Sequence, residues 1–284
     1  MTERTWQLRL FEKSIKKKET VEAILRLLPR LTYERCLEIG CATGVTSYLL
    51  RQRGGEWVSV DFEREHVSSA RSLVGDRVYL ICQDGLDFAS NSFDLVVGIN
   101  FLEHIEQDDH FLAEMVRVLK PGGILIFTAP KGEQYRLGYA LKRLYGFTAD
   151  QKGFGHARDG YSPGLLRDKF QKAGLEIERL DTYSRFFTEA VEDTLNFLYH
   201  IQAMRKRRKT PSASGEFHGM TSPASEAGFK DVNWAFQVYS LLFPIIKGIT
   251  LLDRLIWFRP GYMLACRAKK VTSVGQRKGI SDTG

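Results

Sequence analysis

Five short apolar runs stand in the first half of the chain: Arg35–Gly40, Glu56–Asp61, Arg77–Gln83, Phe93–Ile99 and Ile124–Ala129. Helical periodicity alternates with them, at Gly44–Arg53, Arg64–Val74 and Gln107–Leu119. The runs are apolar nearly throughout instead of at every second residue. A strand of that kind has both faces covered, as in a parallel sheet with crossover helices on its two sides. The pattern predicts a doubly wound, mostly parallel α/β sheet.

Around this core the chain changes character. Leu8–Leu28 has apolar residues at mixed three- and four-residue steps, so residues 1–30 are expected to form a helix, with Lys13, Lys16, Lys17 and Lys18 on a basic face. The core is expected over 31–186. Ser162-Pro163 marks a helix start, with serine as N-cap and proline at the first helical position; Gly174 ends that helix and Leu175–Leu180 follows as a strand. Residues 187–260 read as a helical insertion. It contains the cation run Arg205–Lys209, a segment at 210–228 expected to be mobile, and the strongly apolar stretch Val232–Phe258. A last strand is expected within 261–270 and a disordered tail over 271–284. The net charge of +7 suits an acidic partner, anionic lipid or nucleic acid, without choosing between them. Cys36, Cys41, Cys82 and Cys266 show no paired spacing and read as reduced thiols of a cytoplasmic protein. The first thirty residues lack the apolar core of an export signal.

The most informative short stretch is Glu38-Ile39-Gly40-Cys41-Ala42-Thr43-Gly44, where a strand ends and a helix begins. Such a corner is a nucleotide-binding position, because free helix N–H groups point at a ligand and glycines let it come close. A dinucleotide fingerprint starting at Gly40 would need glycine at 42 and 45, which hold Ala42 and Val45. Glu38 would repel a pyrophosphate and better suits a cationic ligand. Asp61 ends the second strand, where its carboxylate can accept bonds from ribose hydroxyls. Asp84 follows the third, where it could accept from an adenine amino group, and Phe62 could pack on the adenine face. S-adenosylmethionine carries all of these parts.

At these residues the chain resembles the class I S-adenosylmethionine-dependent methyltransferases. The resemblance rests on Glu38–Gly44, Asp61, Gln83-Asp84-Gly85, Ser92–Val97, Leu102-Glu103-His104 and Leu119–Gly123, and covers residues 30–185. It implies a seven-stranded, Rossmann-like methyltransferase fold with a helical insertion before the last strand. It also implies that Glu38 lies near the methionine amino group, and that Gly40 and Gly44 line methionine and ribose. Asp61 would hold the ribose hydroxyls, Asp84 and Gly85 would border the adenine, and Asn100 would lie near the transferring methyl. The Lys120–Gly123 turn is implied to be structural.

Methyl transfer from a sulfonium mainly needs an aligned acceptor and a dry site; a hydroxyl acceptor also gains from a base, for which histidine is the usual choice. His104, after the fourth strand, and His156, in a loop resembling the His-x-Arg…Ser-Pro stretch of small-molecule and lipid-intermediate methyltransferases, are the two candidates. Tyr161 is expected to help shape the acceptor pocket, and the other histidines lack context. No His/Cys/Asp spacing points to a metal, so none is expected.

Leu241–Phe258 would be ~27 Å long as a helix, close to a bilayer core, but Lys247, Asp253, Arg254 and Pro244 interrupt it. It reads either as a buried lid or as a helix lying on an anionic membrane surface. The expected function is methyl transfer to a small-molecule or lipid-linked acceptor, mainly to oxygen. Two rivals are an RNA methyltransferase, against which stands the absence of a basic-aromatic module, and an inactive methyltransferase-like membrane adaptor, against which stands the intact acidic set.

Overall fold

A computed structural model of the 284-residue chain describes residues 5–28, 33–132, 157–158, 160–195 and 225–272. His156, the cation run Arg205–Lys209, residues 210–224 of the expected mobile segment and the tail from 273 lie outside the described residues.

The strands are β1 (Arg35–Ile39), β2 (Glu56–Asp61), β3 (Val78–Leu80), β4 (Phe93–Ile99), β5 (Leu119–Pro130), β6 (Leu175–Tyr183) and β7 (Met263–Lys270). They form one sheet in the order β3-β2-β1-β4-β5-β7-β6, parallel except for β7, which is antiparallel to both neighbours. The helices are α1 (Trp6–Lys13), α2 (Ile15–Leu27), α3 (Val45–Arg51), α4 (Arg64–Val74), α5 (Asp108–Val118), α6 (Pro163–Lys172), α7 (residues 186–195) and α8 (Glu226–Leu251). Two separate clusters of buried side chains cover the sheet. One is built around Phe93, Phe111, Phe127 and Phe170, the other around Ile24, Leu27, Trp57 and Leu95. The continuous apolar runs of β1, β4 and β5 are explained by this double cover.

The structure corrects several sequence boundaries. The single helix expected over Leu8–Leu28 is two helices broken at Ser14, which is extended and whose hydroxyl accepts from the Lys17 N–H. The strand expected over Arg77–Gln83 pairs only at Val78–Leu80, because β3 is the sheet's edge and has one neighbour. The Lys120–Gly123 turn is an extended excursion inside β5, taken up where the β4 register jumps from Phe93↔Leu119 to Leu95↔Ile124. Lys120 closes it with an ion pair to Asp94, 2.7 Å.

α8 packs one face on the N-terminal helices. Phe229, Phe236, Tyr239 and Phe243 bury against Leu10 and Ile15, and the Tyr239 hydroxyl donates to the Lys13 carbonyl at 2.6 Å. Another face is open: Leu241 and Ile245 of α8, and Leu255, Trp257 and Phe258 after its end, are each more than half exposed. That is against a buried lid.

Candidate active site

β1 and β2 end side by side at the carboxyl edge of the sheet, and the turn after β1 is closed by backbone bonds. The Gly40 and Cys41 N–H groups donate to the Val60 carbonyl, and Gly44 N–H donates to Cys41. Gly40 and Gly44 both have positive φ, +83° and +88°, where L side chains are strained. A Cβ on Gly40 would stand 2.7 Å from the Ile99 carbonyl oxygen, and one on Gly44 would stand 2.7 Å from the Ala70 Cα. Both glycines are therefore demanded by the protein's own close packing. Ala42, between them, also has positive φ, 45°.

Glu38 is fully buried in β1. One carboxylate oxygen accepts from the Ser47 and Ser59 hydroxyls, the latter at 2.7 Å; the other, Oε1, has no partner. Burial raises its pKa, against those two hydrogen bonds and the nearby Arg51 charge. A desolvated carboxylate with a vacant lone pair at a sheet edge is a receptor for a cation.

Asp61 is almost wholly buried. Its Oδ2 accepts from the Ala42 N–H at 2.8 Å, and its Oδ1 accepts from the Glu63 N–H at 3.1 Å and faces His66 Nδ1 at 3.2 Å. Burial alone would raise its pKa, but His66 and these two N–H groups outweigh it and hold the carboxyl below its usual value. His66 moves the other way: burial lowers its pKa, and Asp61 and Glu63 more than reverse this. Asp61 thus ties the β1 and β2 turns together. His66, which has no context in sequence, is its partner. The pairing crosses from the end of β2 into α4, and its five-residue spacing matches neither a helical nor a strand repeat.

Phe62 sits between the β2 end and the rings of Phe101 and Phe111, with centroids at 6.2 and 5.6 Å. Asp84 is exposed and its carbonyl faces His110 Nε2 at 3.0 Å. The Gly85–Phe88 segment is fastened to α5. Glu114 accepts from the Leu86 N–H, and Arg117 donates to the Leu86 and Phe88 carbonyls, each at 2.7 Å. These two α5 residues carry no sequence signal beyond their three-residue spacing.

On the next strand, Asn100 has φ of 44° and a buried side-chain oxygen without a partner. Glu103, in a 3-10 turn with Leu102 and His104, is buried, and its Oε2 is also unpartnered. Burial pushes its pKa up to about 7, against the charges of Lys16 and Arg158. His104 is half-buried and ends this turn. Ala157 and Arg158, which follow His156, donate their N–H groups to the Glu103 carbonyl, and Arg158 also reaches the Ile105 and Glu106 carbonyls. Tyr161 is a core strut and does not line a pocket: it is fully buried and its hydroxyl donates to the Leu102 carbonyl and to Asp108. Glu103 is therefore a buried carboxyl with a spare oxygen just beyond the end of β4, a state the Leu-Glu-His triplet alone does not disclose.

Residues 37–127 match a family model described as a methyltransferase domain. Over this core the chain is similar to the class I S-adenosylmethionine-dependent methyltransferases. The ubiquinone biosynthesis O-methyltransferase of Mus musculus is 25% identical over 66% of this chain and 55% of its own length. The demethylmenaquinone methyltransferase of Clavibacter sepedonicus is 33% identical over 42% of this chain and 51% of its own. The chain thus spans about half the length of these curated relatives. A solved chain from the Haloferax volcanii complex of the Trm112 methyltransferase activator with a methyltransferase superposes with a TM-score of 0.56, at 17% identity, over 94% of this chain and 96% of its own; it shares the fold of this methyltransferase domain. Among the described residues there is no group of three or more His, Cys, Asp or Glu side chains able to hold a metal ion.

Proposed function

We propose that this chain transfers the methyl group of S-adenosylmethionine to a hydroxyl oxygen of a small or lipid-linked acceptor, in the cytoplasm and against an anionic membrane surface. The observation that carries the reading is the acidic set at one sheet edge: the buried Glu38 with its vacant Oε1, beside the clamped Asp61. Glu38 would take the methionine ammonium and Asp61 the ribose hydroxyls, with Gly40 and Gly44 along the methionine and ribose. Phe62, Asp84 and Gly85 would border the adenine, and Asn100 would stand nearest the methyl. The cofactor supplies an electrophilic methyl on a sulfonium. With it bound, the chain's own part would be to align an acceptor hydroxyl with that methyl, exclude water and take up the hydroxyl proton at a protein base as the methyl leaves the sulfur.

Glu103 supports the base role through its burial, its unpartnered oxygen and its pKa near neutrality. His104, its neighbour, and His156 are the other candidates. The relative named as a ubiquinone biosynthesis O-methyltransferase favours an oxygen acceptor, and the one named for demethylmenaquinone favours a quinone-type acceptor without specifying oxygen.

Incubation with methyl-labelled cofactor and separated lipid and aqueous cell extracts tests the acceptor class. Label in the lipid fraction, lost at the Glu103→Gln variant, is expected; label confined to RNA would overturn the reading. Asp61→Ala should weaken cofactor binding by about 2–3 kcal/mol by calorimetry. Unchanged affinity in the folded variant would remove Asp61 from the site.

A further inference from the structure

α8 has two apolar sides, and only one is used by the protein. At about 100° per residue, the buried Phe236, Tyr239, Phe243 and Thr250 fall on one face. Val238, Leu241, Leu242, Ile245, Ile249 and Leu252 fall on another, a stripe about 100° wide, and each is 40% or more exposed. Beyond the helix the exposure continues through Leu255, Trp257 and Phe258, at 66–74%. Single exposed apolar residues need no explanation, but nine along one element do.

We infer that this second stripe seats the protein on an anionic lipid bilayer, with α8 lying in the plane of the surface and Trp257 and Phe258 entering it at the helix end. Three observations choose lipid over a protein partner. First, residues 232–252 contain no Asp or Glu, so the stripe offers no carboxylate for a partner's cations. Second, the exposed end is ringed by cations. Arg254 and Arg259 are exposed, and Arg185 is held there by donating to the Trp257 and Arg259 carbonyls. Arg185 and Arg259 line a groove with Phe186 and one carboxylate, Glu189; the two guanidinium groups outnumber it and suit a phosphate headgroup at the groove's mouth. Third, a tryptophan beside arginines at the edge of an apolar stripe suits an interface that is wet on one side.

A crossing is excluded by the chain's own connections. Phe236–Arg254 is long and apolar enough to span, but its other face is committed to Leu10 and Ile15. Twelve residues after α8 the chain is back inside the sheet as β7, between β5 and β6. The inference rests on the proposed lipid-linked acceptor only for its purpose; the seating itself follows from α8.

The test uses the full chain and vesicles of phosphatidylcholine with or without phosphatidylglycerol, at low salt. The parent should co-sediment with the anionic vesicles, and brominated lipid should quench Trp257, read as quenching lost in Trp257→Phe. Leu241→Asp with Ile245→Asp changes only exposed side chains. It should lower the bound fraction by about tenfold or more while the cofactor isotherm stays at the parent's. Two results overturn the inference: a parent that remains in the supernatant, or equal binding by parent and variant. A parent dimer that the double variant makes monomeric would assign the stripe to a second copy instead. Cofactor binding is read separately, so a failed isotherm strikes the methyltransferase reading and leaves the vesicle result standing.

Discussion

The two ends of this molecule treat polar and apolar groups in opposite ways. At the β1–β2 corner, Asp61 has both oxygens engaged and the turn glycines are wedged against Ile99 and Ala70, so the backbone is fixed before any ligand arrives and the Glu38 Oε1 alone of the acidic pair's oxygens is left over. Beyond the end of β4, Asn100 and Glu103 are buried with oxygens left over, and the insertion leaves large apolar side chains in solvent. Preorganised groups carry binding and alignment. Unpartnered ones carry a cost that something outside the chain must relieve. The comparison predicts that added bulk at the corner's glycines damages the fold, whereas changes across the sheet edge damage turnover or location.

The largest effect should come from Gly40→Ala. Its Cβ would meet the Ile99 carbonyl in a left-handed backbone, and a loss of about 3 kcal/mol in denaturant stability is expected. A midpoint equal to the parent's would break the claim that the corner is rigid. Glu103→Gln should leave stability and cofactor affinity close to the parent's and lower turnover by about 100-fold. The parent rate should rise with pH through about 7 as the carboxyl ionises, and the variant should lose that limb. If turnover persists with an unchanged profile, the base is His104 or His156.

The His66–Asp61 pair should give a smaller effect, of order 1 kcal/mol. The His66 pKa is raised in the folded chain, so its contribution is fully present below the unfolded value near 6.5 and is lost as pH rises through the folded one. Glu63 adds to the shift and Lys17 opposes it. A pH series of melting temperatures should therefore converge for the parent and His66→Ala on the alkaline side; curves that stay parallel would deny the pair. Smallest is Ala42→Gly. Relief of the left-handed alanine is offset by glycine's freedom in the unfolded chain, leaving a gain under about 1 kcal/mol.

The strands were legible because a doubly covered strand must be apolar at every position, and the corner was legible because its glycines and acids answer to local geometry. Ser14 shows what is missed between those cases. Apolar spacing runs on through it, yet its hydroxyl caps a new helix. Glu103 shows the larger limit. Its place in a Leu-Glu-His triplet says nothing of burial, which depends on packing by segments far along the chain. α8 was read as either lid or surface helix because two apolar stripes on one helix look, in sequence, like one strongly apolar helix.

The position of β7 has a consequence for how the chain is made. Among the described residues β6 has only β7 beside it, and β7 is the last of the strands, after the whole insertion. A nascent chain that has reached α7 already holds all the residues of the β1–β2 corner, but β5 has an open edge and β6 has nothing to pair with. Synthesis must continue through α8 before that edge is closed, and closure is a long-range event of the kind that slows folding. During this interval the open β5 edge and the second stripe of α8 are exposed together. A chain stopped before Met263 should therefore aggregate and should not survive as a smaller cofactor-binding protein.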